Sequence, residues 1–154
     1  MRVKYYSLVW YILNLIIASK FFLITGCATS SYSGLVGFVK QPQDVSTNLN
    51  YGKNLNCIYD ITVPSGYGVK LEWSSFDVKS SMPQCSSDYV EVYIGCSRKT
   101  IGRYCSDNML SSFNLPHDMY SADNCMRIKF HSDGSNEGTG FKVTYSTFSL
   151  RQSK

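Results

Sequence analysis

Few residues in this chain could do chemistry. His117 and His131 are its two imidazoles. They stand 14 positions apart, with no His-Glu-x-x-His motif and no ligand-type residues at zinc spacing, so a metallohydrolase centre has no foothold. No Gly-x-Ser-x-Gly elbow, phosphate-binding loop or dinucleotide fingerprint occurs. What remains is six cysteines, Cys27, Cys57, Cys85, Cys96, Cys105 and Cys125. In an exported chain an even count describes a disulfide framework, which leaves no thiolate to act as a nucleophile. The expectation from these residues is therefore that the chain is not an enzyme.

Export is read from the first 26 residues. Arg2 and Lys4 precede the apolar run at residues 8–18, the order of a signal peptide, and Lys20 separates that run from a second apolar stretch at residues 21–24. Cleavage is expected after Gly26 or, second in order, after Ala18. Retention of residues 5–26 as an uncleaved membrane anchor is the alternative. Ile24-Thr25-Gly26-Cys27 also has the form of a bacterial lipobox. Lipidating Cys27 would leave an odd number of thiols in an oxidising compartment, which argues against it.

The positions that carry chemistry must be held by a domain built from the remaining 128 of 154 residues, enough for one core. At 44% hydrophobic and 17% charged, the chain is too apolar for intrinsic disorder. Three of its basic residues lie in the export segment, so the formal charge of +4 falls to +1 in the rest, where 12 basic residues face 11 acidic ones. That balance argues against a nucleic-acid partner.

Alternation with period 2 recurs from about Leu35 onward. Val69, Leu71 and Trp73 alternate with Lys70 and Glu72; Val90, Val92 and Ile94 with Glu91 and Tyr93. Met126, Ile128 and Phe130 alternate with Arg127, Lys129 and His131, and Phe141, Val143 and Tyr145 with Lys142 and Thr144. Each is the pattern of a strand with one buried face. Shorter apolar segments at residues 35–39, 57–63 and 101–105 add strands, and Pro64-Ser65-Gly66 and Asp133-Gly134-Ser135-Asn136 mark turns. With no helical periodicity beyond residue 26, the fold class is all-β, two packed antiparallel sheets. The domain is placed at 27–146, with a polar tail at 147–154.

Against this frame the run Cys57-Ile58-Tyr59-Asp60-Ile61, then Pro64-Ser65-Gly66-Tyr67, then Val69 to Trp73 and Phe76-Asp77, resembles the CUB domain family. So do Cys85-Ser86-Ser87-Asp88-Tyr89-Val90-Glu91-Val92-Tyr93 with Ile101-Gly102-Arg103-Tyr104-Cys105, and the closing Met126 to Phe130, Ser132-Asp133 and Gly140-Phe141. The likeness spans roughly residues 27–146. It implies a jelly-roll sandwich, organised like the single-domain spermadhesins, that binds extracellular proteins or glycans without catalysis. It also implies the bridges Cys27 to Cys57 and Cys85 to Cys105. Cys96 and Cys125 exceed the family's four; their even number and their places at two strand ends suggest a third bridge. At the start, the family's Ser-Pro-x-Tyr-Pro is replaced by Lys40-Gln41-Pro42-Gln43-Asp44-Val45, which leaves the N-terminal pairing open.

Many members hold calcium at one end of the sandwich. By resemblance, Asp88, Asp133 and Asn136 occupy ligand positions and Tyr51 that of a supporting tyrosine, while Lys79 stands where a glutamate is expected. Two outcomes follow: Lys79 sits between Asp88 and Asp133 as an internal cation and no metal binds, or it swings to solvent and leaves a weakened calcium site. The first is the expectation. If Lys79 closes the calcium-dependent mode, binding must use another surface, for which Tyr93, Arg98, Lys99, Arg103 and Tyr104 are candidates. The expected role is a secreted adhesion or ligand-binding module for a cell-surface or matrix protein or a glycan. The alternatives are a modulator or inhibitor of a secreted protease or receptor, and a membrane-tethered display protein. No Asn-x-Ser/Thr sequon occurs.

Overall fold

A computed structural model describes residues 27, 29–41, 49–81, 83–106 and 115–151. The export segment 1–26, residues 42–45 of the altered N-terminal segment and residues 152–154 of the tail lie outside the described residues. Within them the chain forms strands β1 (Ser30–Ser33), β2 (Val36–Lys40), β3 (Asn56–Thr62), β4 (Tyr67–Asp77), β5 (Tyr89–Ile94), β6 (Lys99–Tyr104), β7 (Met119–Tyr120), β8 (Cys125–His131) and β9 (Gly140–Ser149).

These make two sheets, one in the order β1-β3-β8-β5-β6 and the other β2-β9-β4-β7. The alternating apolar positions face each other between them: Val69 and Leu71 of β4, Val90 and Val92 of β5, Ile128 and Phe130 of β8, and Phe141 and Val143 of β9 are all buried. Rings meet edge-on at the centre, Phe141 against Tyr59 at 6.1 Å, Phe130 at 5.7 Å and Trp73 at 5.8 Å, an arrangement favoured by the ring quadrupole. A register shift between Trp73 and Ser75 lets β4 keep both Trp73 and Phe76 inside although they are three positions apart.

Two features differ from the sequence expectation. The sheets are antiparallel except at one edge, where β1 runs parallel to β3, Ser30 facing Tyr59 and Ser33 facing Thr62. The Cys27–Cys57 bridge explains this, because it ties the chain entering β1 to the start of β3, so both strands leave the bridge in the same direction. The domain also does not stop at Ser146. Thr147, Phe148 and Ser149 pair with Val69, Gly68 and Tyr67, so β9 takes in three residues of the segment read as tail. Phe148 packs edge-on against Tyr120 at 5.7 Å, which gives those residues a contact to hold them.

At the replaced N-terminal segment the buried Gln41 acts as a strand pair of its own. Its Nε2 donates to Thr139 O at 2.9 Å, and its Oε1 accepts from Phe141 N at 2.7 Å. Gly140 between them has φ +82°, and a Cβ there would lie 2.2 Å from the Gln41 side chain, so glycine is required on both counts.

Candidate functional site

Two regions carry the residues that sequence reading singled out. The first is the end of the sandwich where β4 leaves, β5 begins and β8 ends. Asp88 immediately precedes β5 and is fully enclosed. Its Oδ2 accepts from the Tyr51 hydroxyl at 2.5 Å, and its Oδ1 accepts from the Asp133 backbone N–H at 2.7 Å. The Tyr51 oxygen in turn accepts from the Lys79 backbone N–H at 3.0 Å. The Tyr51 ring is buried edge-on against Phe130 at 5.1 Å, which fixes the hydroxyl from behind. Burial raises the Asp88 carboxyl above its ordinary value although both hydrogen bonds work against that shift. Burial and the bond to Asp88 push the Tyr51 hydroxyl up as well, so it stays a donor at every relevant pH.

The structure thus joins Tyr51 to Asp88, and Asp88 to the backbone of Asp133. The Asp133 carboxylate turns onto its own loop, where Oδ1 accepts from Ser135 N at 2.7 Å and Ser135 Oγ at 3.1 Å. Asn136 adopts φ 60° and lines a small cleft with Lys79, Ser80, Ser81 and Ser87.

Lys79 does not sit between Asp88 and Asp133. Its Nζ pairs with Asp77 Oδ1 at 2.5 Å, while Asp77 Oδ2 accepts from Thr139 N at 2.8 Å and Thr139 Oγ1 at 3.2 Å. The reason is competition: Tyr51 and the Asp133 amide have already taken both oxygens of Asp88, and Asp77 lies two residues away from Lys79 in the chain. Burial works to raise the Asp77 carboxyl, but the Lys79 ammonium and the Thr139 N–H outweigh it and hold it below 3.8. A folded-state value below the unfolded one gives stability that is present above that ordinary value and lost as pH falls through the lowered one. The difference in Tm between the wild type and Asp77→Asn should therefore be largest near neutral pH and shrink as pH falls through the lowered value of the Asp77 carboxyl. A difference that stays constant across that range would show that the ion pair contributes nothing to stability.

The second region is the outward face of the five-stranded sheet. Three of the four outward positions of β8, Arg127, Lys129 and His131, are basic or imidazole side chains. Tyr93 lies beside Arg127, Glu91 beside Lys129 and Tyr89 beside His131. Glu91 also pairs across to Arg103, whose guanidinium stacks 4.1 Å from the centre of the Tyr89 ring. Tyr93 donates to Glu91 Oε2 at 2.7 Å. Of the surface candidates read from sequence, Tyr93 and Arg103 belong to this face and Arg98 to its rim. Lys99 is exposed on the edge strand, and Tyr104 turns inward against the core.

At that rim the β5–β6 turn reaches over β3. Arg127 grips Asp60 with two bonds, Nε to Oδ1 and Nη2 to Oδ2, each 2.6 Å, and Arg98 Nη1 approaches Asp60 Oδ1 at 3.4 Å. Sequence reading did not group these three. The available signal was the run of basic residues at alternate positions of β8, which the alternation there marked only as the polar side of a strand.

The structure closes three bridges, Cys27–Cys57, Cys85–Cys105 and Cys96–Cys125. The last ties the β5–β6 turn to the start of β8. Beside it, the Asp123 carboxylate accepts from Cys96 N at 3.0 Å and Cys125 N at 3.1 Å, so it serves the turn as a structural acceptor.

Fold and bridges together define a disulfide-bonded two-sheet β-sandwich domain. A match to the CUB domain family covers residues 38–145, and the chain belongs to that family. It is 34% identical over 111 residues to cubilin of Sus scrofa, a match covering 70% of this chain and 3% of cubilin. To the human tumor necrosis factor-inducible gene 6 protein it is 35% identical over 97 residues, covering 62% of this chain and 32% of that protein. The chain thus spans a small part of the length of these relatives. Among solved structures, the CUB1-EGF-CUB2 region of human MASP-1/3 superposes with a TM-score of 0.67 at 25% identity, covering 80% of this chain and 43% of that one.

Proposed function

We propose that this chain is an exported, non-catalytic recognition module that binds an acidic extracellular protein or glycan through the outward face of its five-stranded sheet. The carrying observation is the charge of that face: Arg98, Arg103, Arg127 and Lys129 stand against two carboxylates, Asp60 and Glu91, with Tyr93 among them and the buried Tyr89 ring beneath Arg103. Rigid tyrosines and arginines supply much of the energy at protein interfaces, and a surplus of positive charge steers an acidic partner. Membership of a family of extracellular binding domains supports the same reading, as do the three bridges, which suit an oxidising compartment.

The reading needs no calcium. Calcium takes six to eight oxygen ligands, roughly, mostly carboxylates and carbonyls. Here both Asp88 oxygens are engaged by protein donors, the Asp133 carboxylate is folded onto Ser135, and an ammonium ion-paired to Asp77 replaces a ligand. The Lys79 ammonium and the turning of Asp133 onto Ser135 argue against the ion, and the Tyr51–Asp88 bond supports this end of the sandwich without it.

Surface plasmon resonance of the exported full chain over extracellular-matrix proteins and acidic and neutral glycans tests both statements. Retention by an acidic member, weakened about tenfold by Lys129→Glu and unchanged by chelating calcium, is the expected result. Binding that vanishes on chelation and ignores Lys129→Glu would place the interaction at the Asp88 end of the sandwich and sink the proposal.

A further inference from the structure

Within the proposed binding face, one cleft has the chemistry of a defined ligand pocket. We infer that the cleft of about 390 Å³ between the β5–β6 turn and β3, lined by Ser31, Asp60, Thr62, Arg98 and Arg127, binds a single acidic sugar unit. The unit is a polyhydroxylated ring bearing one carboxylate or sulfate. This deepens the proposed function and rests on it.

Charge is the first argument. Two guanidiniums surround one carboxylate, so the cleft carries a surplus positive charge. Arg127 directs Nε and Nη2 to Asp60 and keeps Nη1 free of that pair, and Arg98 makes a single approach at 3.4 Å with a side chain 46% exposed. An arginine presents five N–H donors, so most of those on Arg98 still face the cleft or solvent and suit a planar or tetrahedral anion.

Backbone cost is the second argument. Arg98 adopts φ 59°, a left-handed conformation that costs a residue with a Cβ about 1–2 kcal/mol and glycine nothing. Three clamps hold the turn there: Arg98 N donates to Gly95 O at 3.0 Å, Gly95 N donates to Cys125 O at 3.0 Å, and the Cys96–Cys125 bridge locks it to β8. A turn that merely had to close would be better served by glycine at this position. An arginine held there against its backbone preference, above a second arginine, points to a use for the side chain.

The nature of the wall decides between a sugar and an acidic peptide. Besides the guanidiniums, the cleft offers the Ser31 and Thr62 hydroxyls and the Asp60 carboxylate, whose Oδ2 accepts from Arg127 and keeps a second lone pair. A sugar acid supplies an anion for the arginines and hydroxyl donors for Asp60. An acidic peptide side chain brings the same anion without hydroxyl donors beside it to answer Asp60. The volume also suits one ring and not a length of chain.

The test titrates the full exported chain with sialyllactose, galactose 6-sulfate, neutral lactose and hexaglutamate, following the Arg98 and Thr62 resonances by NMR. At least one acidic sugar should saturate with shifts at both residues, while lactose and hexaglutamate produce none. Which of the two sugars binds separates carboxylate from sulfate recognition. Arg98→Ala, at an exposed turn position, should weaken that sugar about tenfold or more, and Arg98→Lys by less. Lys142→Glu, exposed on β9 in the other sheet and outside the binding face, should change it less than about threefold. Equal binding by hexaglutamate, or an Arg98→Ala variant that binds as wild type does, overturns the cleft. If Lys129→Glu is as damaging as Arg98→Ala, the ligand lies across the sheet face; the proposed function then stands and this inference falls.

Discussion

Asp88→Ala should lower the unfolding free energy by about 4 kcal/mol, a large part of a total on the order of 10 kcal/mol for a domain of this size. The carboxylate is fully enclosed and accepts two short bonds, from the Tyr51 hydroxyl at 2.5 Å and the Asp133 amide at 2.7 Å. Removing it leaves both donors buried without acceptors, at about 1–3 kcal/mol each and more where the lost partner was charged. Tyr51→Phe tests the same junction from the other side. It keeps the Asp133 bond, deletes the donor to Asp88 and removes the acceptor of the Lys79 N–H, so about 2 kcal/mol is expected. Asp88→Asn is nearly isosteric and keeps an oxygen for the Asp133 amide. Because burial already disfavours the charged form of Asp88, the neutral amide should be tolerated at about 1 kcal/mol. Urea unfolding with the disulfides intact ranks the three. An Asp88→Ala variant within about 1 kcal/mol of wild type would show that this end of the sandwich is held by something other than the Tyr51–Asp88–Asp133 chain.

The same junction shows how far sequence carries a site. That an ammonium stands where the family resemblance implies a ligand was legible from Lys79 alone, because identity at a position is a one-dimensional fact. Its partner was not. Whether Lys79 reaches Asp77 or lies between Asp88 and Asp133 depends on Tyr51, 28 positions upstream, having already occupied Asp88. Competition for one acceptor is decided in space.

The strands follow a similar rule. β4, β5, β8 and β9 could be read because each alternates over enough residues to show which face is buried, and burial then fixes register. β1 has four residues of the type Ser-Ser-Tyr-Ser and no periodicity to read, and its parallel pairing is imposed by a bridge near its start. Gln41 was invisible for another reason. A side-chain amide that substitutes for a strand pair leaves no pattern in the sequence, only a polar residue among others. The Asp60 cluster draws its members from β3, β8 and the β5–β6 turn. Nothing in the sequence joined them until the register set Asp60 opposite Arg127.

Replacing Cys96 and Cys125 together by serine should cost about 3–4 kcal/mol, since the bridge closes a separation of 29 residues and restricts the unfolded chain accordingly. Two physical roles are separable here by hydrogen exchange. If the bridge acted solely on the unfolded chain, amides of the central strands that exchange through global opening, such as those of Val92 and Ile128, would accelerate, and the turn would be unaffected. The geometry implies more. Without the bridge, the turn that carries Arg98 at φ 59° keeps the bonds of Gly95 N to Cys125 O and Ser121 Oγ and of Cys96 N to Asp123 Oδ2. Those bonds are partly exposed to water, and each contributes about 1 kcal/mol. The left-handed arginine pulls against them. The Gly95 and Cys96 amides should therefore accelerate as well, and affinity at the Asp60 cleft should fall in proportion to the fraction of time the turn is open. Faster exchange in β5 and β8 with unchanged protection at Gly95 would overturn the clamp and leave the bridge a purely global stabiliser. Accelerated turn amides with lost ligand affinity would make this third bridge, the one beyond the family's four cysteines, the element that builds the binding cleft.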